Sequence, residues 1–332
     1  MPVIVGGSPS TGSSLLRQML NRHPEVYCGP ETSLFAFPQL FEDWNGSKGK
    51  LLSQRGLTAP DIQLTRGTDL IGHEQQWERS GLVELMTESA SLPAFADAYF
   101  ARPMRVYGAS IWAEKTPANV LNFKAFHRAF EEPVVVHVVR DPLDTIASLV
   151  TRGLSVHAAV SRYLFNTAFG LSAKDLTGYV EVKYEQLVTD PERALTAVLE
   201  RMDLSYTHEM VSPGNSEMRE APTMKGWLHS EVDAPSDKGI GRFSELPADV
   251  QALVLSGLHL LRIRPRFLLA NELEHQSVAD ICSALDYPMF AGTPSTAHRA
   301  QLARQRRRDV LRSLKERRTF LLAKRPIRLT KV

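Results

Sequence analysis

Cysteine is scarce: Cys28 and Cys282 are the only two in 332 residues. They lie far apart and outside any C-x-x-C spacing, which argues against a disulfide framework or a structural zinc site, so two reduced, buried thiols are expected. No stretch approaches the ~18 to 20 apolar residues of a membrane span. The β-branched run Val3 to Val5 begins almost at Met1, with no basic n-region or long apolar stretch ahead of it. No signal peptide or anchor is therefore expected, and a soluble, cytoplasmic chain is. Internal repeats and low-complexity linkers are missing too. Hydrophobic residues at 43% and charged residues at 23% are ordinary for a globular chain long enough to bury a full core.

Negative charge is lacking at one end. From Arg299 to Lys331 there are 13 Lys and Arg against Asp309 and Glu316, a net +11 that leaves −9 for the rest of the chain. The apolar residues Leu302, Val310, Leu311, Leu314, Phe320, Leu321 and Leu322 are spaced like one side of a helix. The segment 299–332 is read as a basic helical tail, either solvated and capping the core or in peripheral contact with an anionic surface. Residues 1–298 form the main domain.

Val3 to Gly7 reads as a strand, and Leu15, Leu16, Met19 and Leu20 at helical spacing predict a helix that His23-Pro24 stops. Phe35 to Arg105 reads as a helical insertion. A strand near Val106 to Trp112 runs into Ala113-Glu-Lys-Thr-Pro117, and the continuous apolar run Val134 to Val139 ends in Arg140-Asp-Pro before a helix from Leu143 to Thr151. Tyr179 to Tyr184 alternates as another strand before a helix from Pro191 to Met202. Strands alternating with helices imply α/β architecture: three layers, a central parallel sheet with helices on both faces, and ligands at the strand carboxyl ends.

One further absence is chemical. Gly7 to Gly12 has the spacing of the phosphate loop G-x-x-x-x-G-K-[ST], yet Ser13 stands where the lysine belongs. A strand-loop-helix turn still aims backbone N–H groups and the helix dipole at an anion. Without the lysine, a triphosphate is poorly served. Ser8, Ser10, Thr11, Ser13 and Ser14 offer neutral donors to a smaller charge.

Arg140, Ser148 and Arg152 make a second constellation. Ser148 and Arg152 are four apart on one helix face, and Arg140 sits at the strand end. Two guanidiniums and a hydroxyl suit a second phosphate, which a planar fork grips bidentately. A nucleotide phosphorylated at both its 5′ and 3′ sides would need two such cradles.

These stretches resemble the sulfotransferases that use 3′-phosphoadenosine 5′-phosphosulfate (PAPS), in particular the tyrosylprotein-sulfotransferase-like branch. The resemblance is carried by GGSPSTGSSLLRQMLNRHPEVYCGPET at Gly6 to Thr32, EKTP at Glu114 to Pro117, VVRDPLDTIASLVTR at Val138 to Arg152, and VKYEQLVTDPERAL at Val182 to Leu195. It implies the three-layer P-loop fold and a loop around Ser10, Thr11, Gly12, Ser13 and Ser14 that holds the 5′ phosphosulfate. It further implies that Arg140, Ser148 and Arg152 hold the 3′ phosphate, with Tyr184 near the nucleotide.

Two positions depart from the family: Ser10 stands where Arg or Lys is frequent, and Gly241-Arg242-Phe243 where a Lys or Arg lies beside Trp. Arg242, or else Lys238, is the candidate for the missing cation. The resemblance assigns Lys115 to the bridging oxygen and Glu31 to the base, with His73 and His229 as weaker rivals for the base. His23 reads as a helix-end residue and His137 as a satisfied core histidine.

The expected function is sulfuryl transfer from PAPS, without a metal, to a hydroxyl of a small-molecule, glycan or lipid acceptor. Peptide tyrosine sulfation, a P-loop kinase and a non-catalytic nucleotide-binding module are the alternatives. No nucleic-acid partner is expected.

Overall fold

Val3 to Val5 and Val134 to Val139 carry no charged residue, and in the computed structural model of the chain both are strands of one sheet, closed off from solvent on either face. The structure describes residues 1–53, 56–59, 62–65, 77–212, 235–315 and 326–332. The first part runs β1 (Pro2–Gly7), α1 (Ser13–Arg22), β2 (Val26–Cys28), α2 (Pro38–Glu42), α3 (Trp44–Leu52), β3 (Leu57–Ala59), β4 (Ile62–Thr65), α4 (Arg79–Glu88) and α5 (Leu92–Tyr107). Then come β5 (Ile111–Lys115), α6 (Phe123–Ala129), β6 (Val134–Val139), α7 (Pro142–Thr151), α8 (Val156–Leu171), β7 (Tyr179–Lys183), α9 (Tyr184–Thr189) and α10 (Pro191–Leu199). The last part is α11 (Ala248–Leu260), β8 (Leu261–Ile263), α12 (Pro265–Ala270), α13 (Val278–Ala284), α14 (Thr296–Lys315) and β9 (Ile327–Leu329).

Five strands form the central sheet in the order β2-β5-β1-β6-β7, every neighbouring pair parallel. Alternation along β1 sorts its side chains. Val3 and Val5 join a core with Leu16 and Met19 of α1 and Leu195 and Val198 of α10, whereas Ile4 points to the other face, with Trp112 and Val135. Helices thus cover both faces, as the strand–helix alternation predicts.

The insertion is bolted to the sheet by aromatic rings. Phe100 stacks on Trp112 at 4.6 Å and Phe35 meets Phe126 edge-on at 5.0 Å, contacts worth roughly 0.5 to 1.5 kcal/mol each beyond burial. It is not purely helical, because β3 and β4 pair as an antiparallel ribbon. The strand expected near Val106 is also displaced. Leu92, Phe95, Ala96, Tyr99, Phe100 and Pro103 are buried at helical spacing, so α5 continues through Val106, which is exposed, to a left-handed Gly108. The strand begins only at Ile111. A helix stripe outweighs the β-propensity of one valine.

The basic C-terminal segment is built into the body. Leu302 of α14 is buried in a core shared with α8 and α11, Ser155 donates to Asp309 at 2.7 Å, and β9 pairs antiparallel with β8. Phe320 to Leu322 lie outside the described residues. Both cysteines are buried free thiols, and burial raises Cys28 to about 12.

His137 sits at the centre of the sheet, wholly buried. Its Nδ1 bonds the Tyr179 hydroxyl at 2.8 Å, but Nε2 has no partner, so the satisfied core histidine expected from sequence is only half satisfied. Burial lowers its pKa from 6.5 to about 3. Between those values the unfolded chain takes up a proton that the folded chain refuses, so stability falls as pH drops below 6.5. Wild type is expected to lose up to about 1.4 kcal/mol per pH unit more than His137→Gln in that window, measured by urea denaturation across pH.

Candidate functional site

Because the five strands are parallel, their carboxyl ends lie along one edge, and each delivers a side chain to it. In the order β2-β5-β1-β6-β7 these are Glu31, just after β2, Lys115 at the end of β5, the Ser8–Gly12 loop after β1, Arg140 directly after β6, and Tyr184 directly after β7. One half of the edge holds an acid and an ammonium. The other half holds a guanidinium and an aromatic ring.

The loop is shaped by its own bonds. Ser10 is left-handed at φ 72 and Gly12 at φ 89, so the chain can turn sharply before α1. Thr11 spends its hydroxyl on the Ser8 carbonyl at 2.8 Å, bracing the turn. A side chain at Gly12 would collide with the Tyr184 ring, which packs directly on the loop. Ser13 is buried and Ser14 exposed.

Arg140 ties the loop to the far side of the site. Its guanidinium donates to the carbonyl of Ser10 at 2.9 Å and to that of Gly239, and lies 4.5 Å from the centre of the Tyr184 ring. Arg152 donates to the Ser10 hydroxyl at 3.1 Å. Two cations therefore converge on the residue where the sequence lacks one. Lys238 and Arg242, the candidates for that cation, are exposed, and Arg242 is close enough to oppose the charge on Arg140.

Arg140 lies below its ordinary value, chiefly through burial, and its buried Nε has no partner. Ser148, buried one turn before Arg152, makes no side-chain hydrogen bond among the described residues. A buried guanidinium N–H and a hydroxyl that are both unsatisfied fit an added phosphate.

Asp144 is a residue that sequence reading passed over. It is buried on α7, and its two carboxylate oxygens accept the backbone N–H groups of Gly241 at 2.8 Å and Phe243 at 3.0 Å. The segment 239–243 is thus held from two sides, by Asp144 and by Arg140 with Tyr184. Gly239 has no room for a side chain because the Tyr184 hydroxyl fills that space. Spacing offered one signal: Asp144 follows the helix cap Asp141 by three residues, and a second acid there is more than one cap requires. Asp141 alone accepts from Leu143 and Asp144 N–H.

On the other half of the edge, Lys115 pairs with Glu31 and donates to Ser14 Oγ at 3.1 Å. The lysine is 1% exposed and the glutamate 24%, so the carboxylate reaches solvent while the ammonium is enclosed. Glu114 supplies the frame. Fully buried, it accepts from the Thr32 N–H and hydroxyl, Thr116 Oγ1 and Asn119 Nδ2. Thr116 also accepts from the Ser33 N–H at 3.1 Å. The chain on the carboxyl side of Glu31 is thereby strapped to the end of β5. Burial raises the Glu114 pKa, against the pull of these hydrogen bonds.

His23 bonds the Ser205 carbonyl at 3.1 Å, away from the edge. The rivals His73 and His229 lie outside the described residues, as does most of the Ser212 to Arg242 loop. Among the described residues no group of three His, Cys, Asp or Glu is placed to hold a metal, and no helix is long and apolar enough to cross a membrane.

The sequence profile of the sulfotransferase family matches residues 2–208. The chain is 23% identical over 317 residues to protein-tyrosine sulfotransferase 2 of Gallus gallus, covering 90% of this chain and 72% of that protein. It is 22% identical over 224 residues to protein-tyrosine sulfotransferase 1 of Danio rerio, where it spans 62% of this chain and 54% of that protein. Among solved structures, the sulfotransferase domain of the Synechococcus PCC 7002 olefin synthase aligns at 20% identity and a TM-score of 0.46, over 74% of this chain and 96% of that one.

Asp144→Asn leaves one acceptor and turns an amide N–H₂ toward a backbone N–H. It is expected to weaken binding of a nucleoside 3′,5′-bisphosphate about tenfold, measured by calorimetry. In an Arg242→Ala background the same substitution should add little, because the carboxylate acts by placing that segment.

Proposed function

Because the chain belongs to the sulfotransferase family, we propose that it moves the sulfuryl group of PAPS to an acceptor hydroxyl at the carboxyl edge of its sheet. The carrying observation is the division of that edge into an anion clamp and an acid–ammonium pair. The loop N–H groups with Ser14 would hold the 5′ phosphosulfate, and Arg140, Ser148 and Arg152 the 3′ phosphate, with Tyr184 and the 239–243 segment closing the cradle. When bound, PAPS supplies the activated sulfuryl group.

The chain supplies the rest. Lys115, enclosed and pre-aimed by Glu31 and Ser14, opposes negative charge that grows on the leaving oxygen, and in a low-dielectric setting such an ammonium counts for more than in water. Glu31, partly open to solvent, takes the acceptor proton. Protonating it loosens its hold on Lys115 as the leaving charge appears, so the pair hands its attraction from one partner to another.

Tyrosine of a protein or peptide is the acceptor proposed. The names of the relatives favour it over the small-molecule, glycan or lipid alcohol expected from sequence. A phenol, with a pKa near ~10, also needs less help from a carboxylate base than an aliphatic alcohol does. The kinase alternative is disfavoured by Ser13, which leaves no lysine for a γ-phosphate.

Calorimetric titration with 3′,5′-ADP, 5′-AMP and ATP tests the donor half. Tightest binding of the bisphosphate, lost by about tenfold or more in Arg140→Ala, is expected; equal or better binding of ATP would overturn the reading. For the chemistry, Glu31→Gln should keep bisphosphate affinity but lower transfer from PAPS to a tyrosine peptide by ~10² to 10⁴. Unchanged turnover would remove Glu31 as the base.

A further inference from the structure

One peptide group beside the cradle is held by side chains at both of its polar atoms. The carbonyl of Arg140 accepts the Tyr163 hydroxyl at 3.3 Å, and the N–H of Asp141, in the same peptide unit, donates to Glu185 Oε1 at 2.9 Å. That N–H stands at the cap of α7 and has no helical carbonyl to meet it. The other carboxylate oxygen, Oε2, accepts the Tyr287 hydroxyl at 2.8 Å. The backbone that carries the Arg140 side chain is therefore fixed, through Glu185, to a tyrosine beyond the residues 2–208 that the family profile matches.

A tight turn delivers Tyr287. Helix α13 ends at Ala284, and the chain reverses through Asp286 at a left-handed φ of 54, a conformation that favours glycine. The Tyr287 N–H closes the turn on the Cys282 carbonyl at 2.9 Å. The end of β7 meets it there. Lys183 donates to the Leu285 carbonyl and lies 5.0 Å from the centre of the Tyr287 ring. The next two residues, Tyr184 and Glu185, reach the Arg140 guanidinium and the Asp141 N–H. Burial, and then the charge of Glu185, push the Tyr287 phenol far above its ordinary value, so it stays protonated and remains the donor in its bond to the carboxylate.

Glu185 is also a rival to the ligand of the site it supports. It is near enough to Arg140 to favour the guanidinium charge, yet it makes no ion pair among the described residues. A direct pair would cancel that cation and occupy N–H groups that a phosphate needs, the unpartnered Nε among them. Each carboxylate oxygen instead has another partner, the Asp141 N–H on one and the Tyr287 hydroxyl on the other. We propose that Tyr287 is a positioning residue of the nucleotide site: its hydroxyl keeps Glu185 on the backbone and off the guanidinium, leaving Arg140 free to grip the 3′ phosphate. The inference rests on the reading of Arg140 given above and adds the residue that keeps it available.

The test is calorimetric titration of the full chain with 3′,5′-ADP and with 5′-AMP, which lacks the 3′ phosphate. Tyr287→Phe should weaken 3′,5′-ADP about tenfold and leave 5′-AMP within about twofold. The double variant Tyr287→Phe/Glu185→Gln should regain most of that loss, because an amide has no charge with which to capture the guanidinium. A tyrosine that only braced the fold would weaken both nucleotides alike, and the second substitution would not repair it. The Phe ring stays under Lys183, so the melting temperature should hold; if Tyr287→Phe does not fold, Tyr287→Met removes the same hydroxyl and carries the same test. Full 3′,5′-ADP preference in the single variant overturns the proposal alone, as does a double variant no better than the single one. Wild type that binds 5′-AMP as well as 3′,5′-ADP overturns the reading of the nucleotide site, and the proposal with it.

Discussion

Parallel pairing of β1 with both β5 and β6 is the constraint on which the site depends. Val3 lies opposite Ala113 on one side and Val134 on the other, so the ends of three strands are in step to within about three residues. Each strand then stops where a polar side chain becomes useful. Lys115 and Arg140 come to flank the phosphate loop from opposite sides without any long connection. An antiparallel neighbour would bring a strand start to this edge instead, and its side chains would arrive from the wrong end of the sheet.

The cations at this edge face a shared difficulty. Arg140, Arg152 and Arg242 gather around Ser10 and Gly239, and Arg242 opposes the charge on Arg140. Arg140 is held through carbonyls and the Tyr184 ring and Arg152 through the Ser10 hydroxyl, while Asp144 holds the backbone beside Arg242; among the described residues none of the three makes a direct ion pair. Carbonyl partners orient a guanidinium without cancelling its charge, which leaves it able to grip an anion. Lys115 is treated differently, in a direct pair with Glu31. That pairing fits the roles of base and cation proposed for them, and the Glu114 network holds the chain beside Glu31 to the end of β5.

Much of this was legible beforehand because it is local. The loop spacing, the β-branched runs and the Arg140-Asp-Pro turn each concern a few consecutive residues, and each formed where expected. Expectations failed where distant packing decided. Val106 went into a helix because the aromatic stripe of α5 continues past it, and Leu57 and Ile62 fell into a ribbon inside a region read as helical. His137 kept an unpartnered nitrogen because its one hydrogen bond among the described residues, to the Tyr179 hydroxyl on the next strand, uses Nδ1, while Nε2 faces Gly170, which has no side chain to offer.

By itself, the sequence determined the strand-loop-helix alternation, the missing loop lysine and the basic end of the chain, since periodicity, residue type and charge do not depend on distant neighbours. The tertiary structure decided which groups meet. Arg152 reaches Ser10 across 142 positions, Asp144 reaches Gly241 across 97, and Lys115 reaches Glu31 across 84. Contacts of that kind are set by strand order and helix packing, which no local pattern encodes, because a hydrogen bond depends on distance in space and not on separation along the chain.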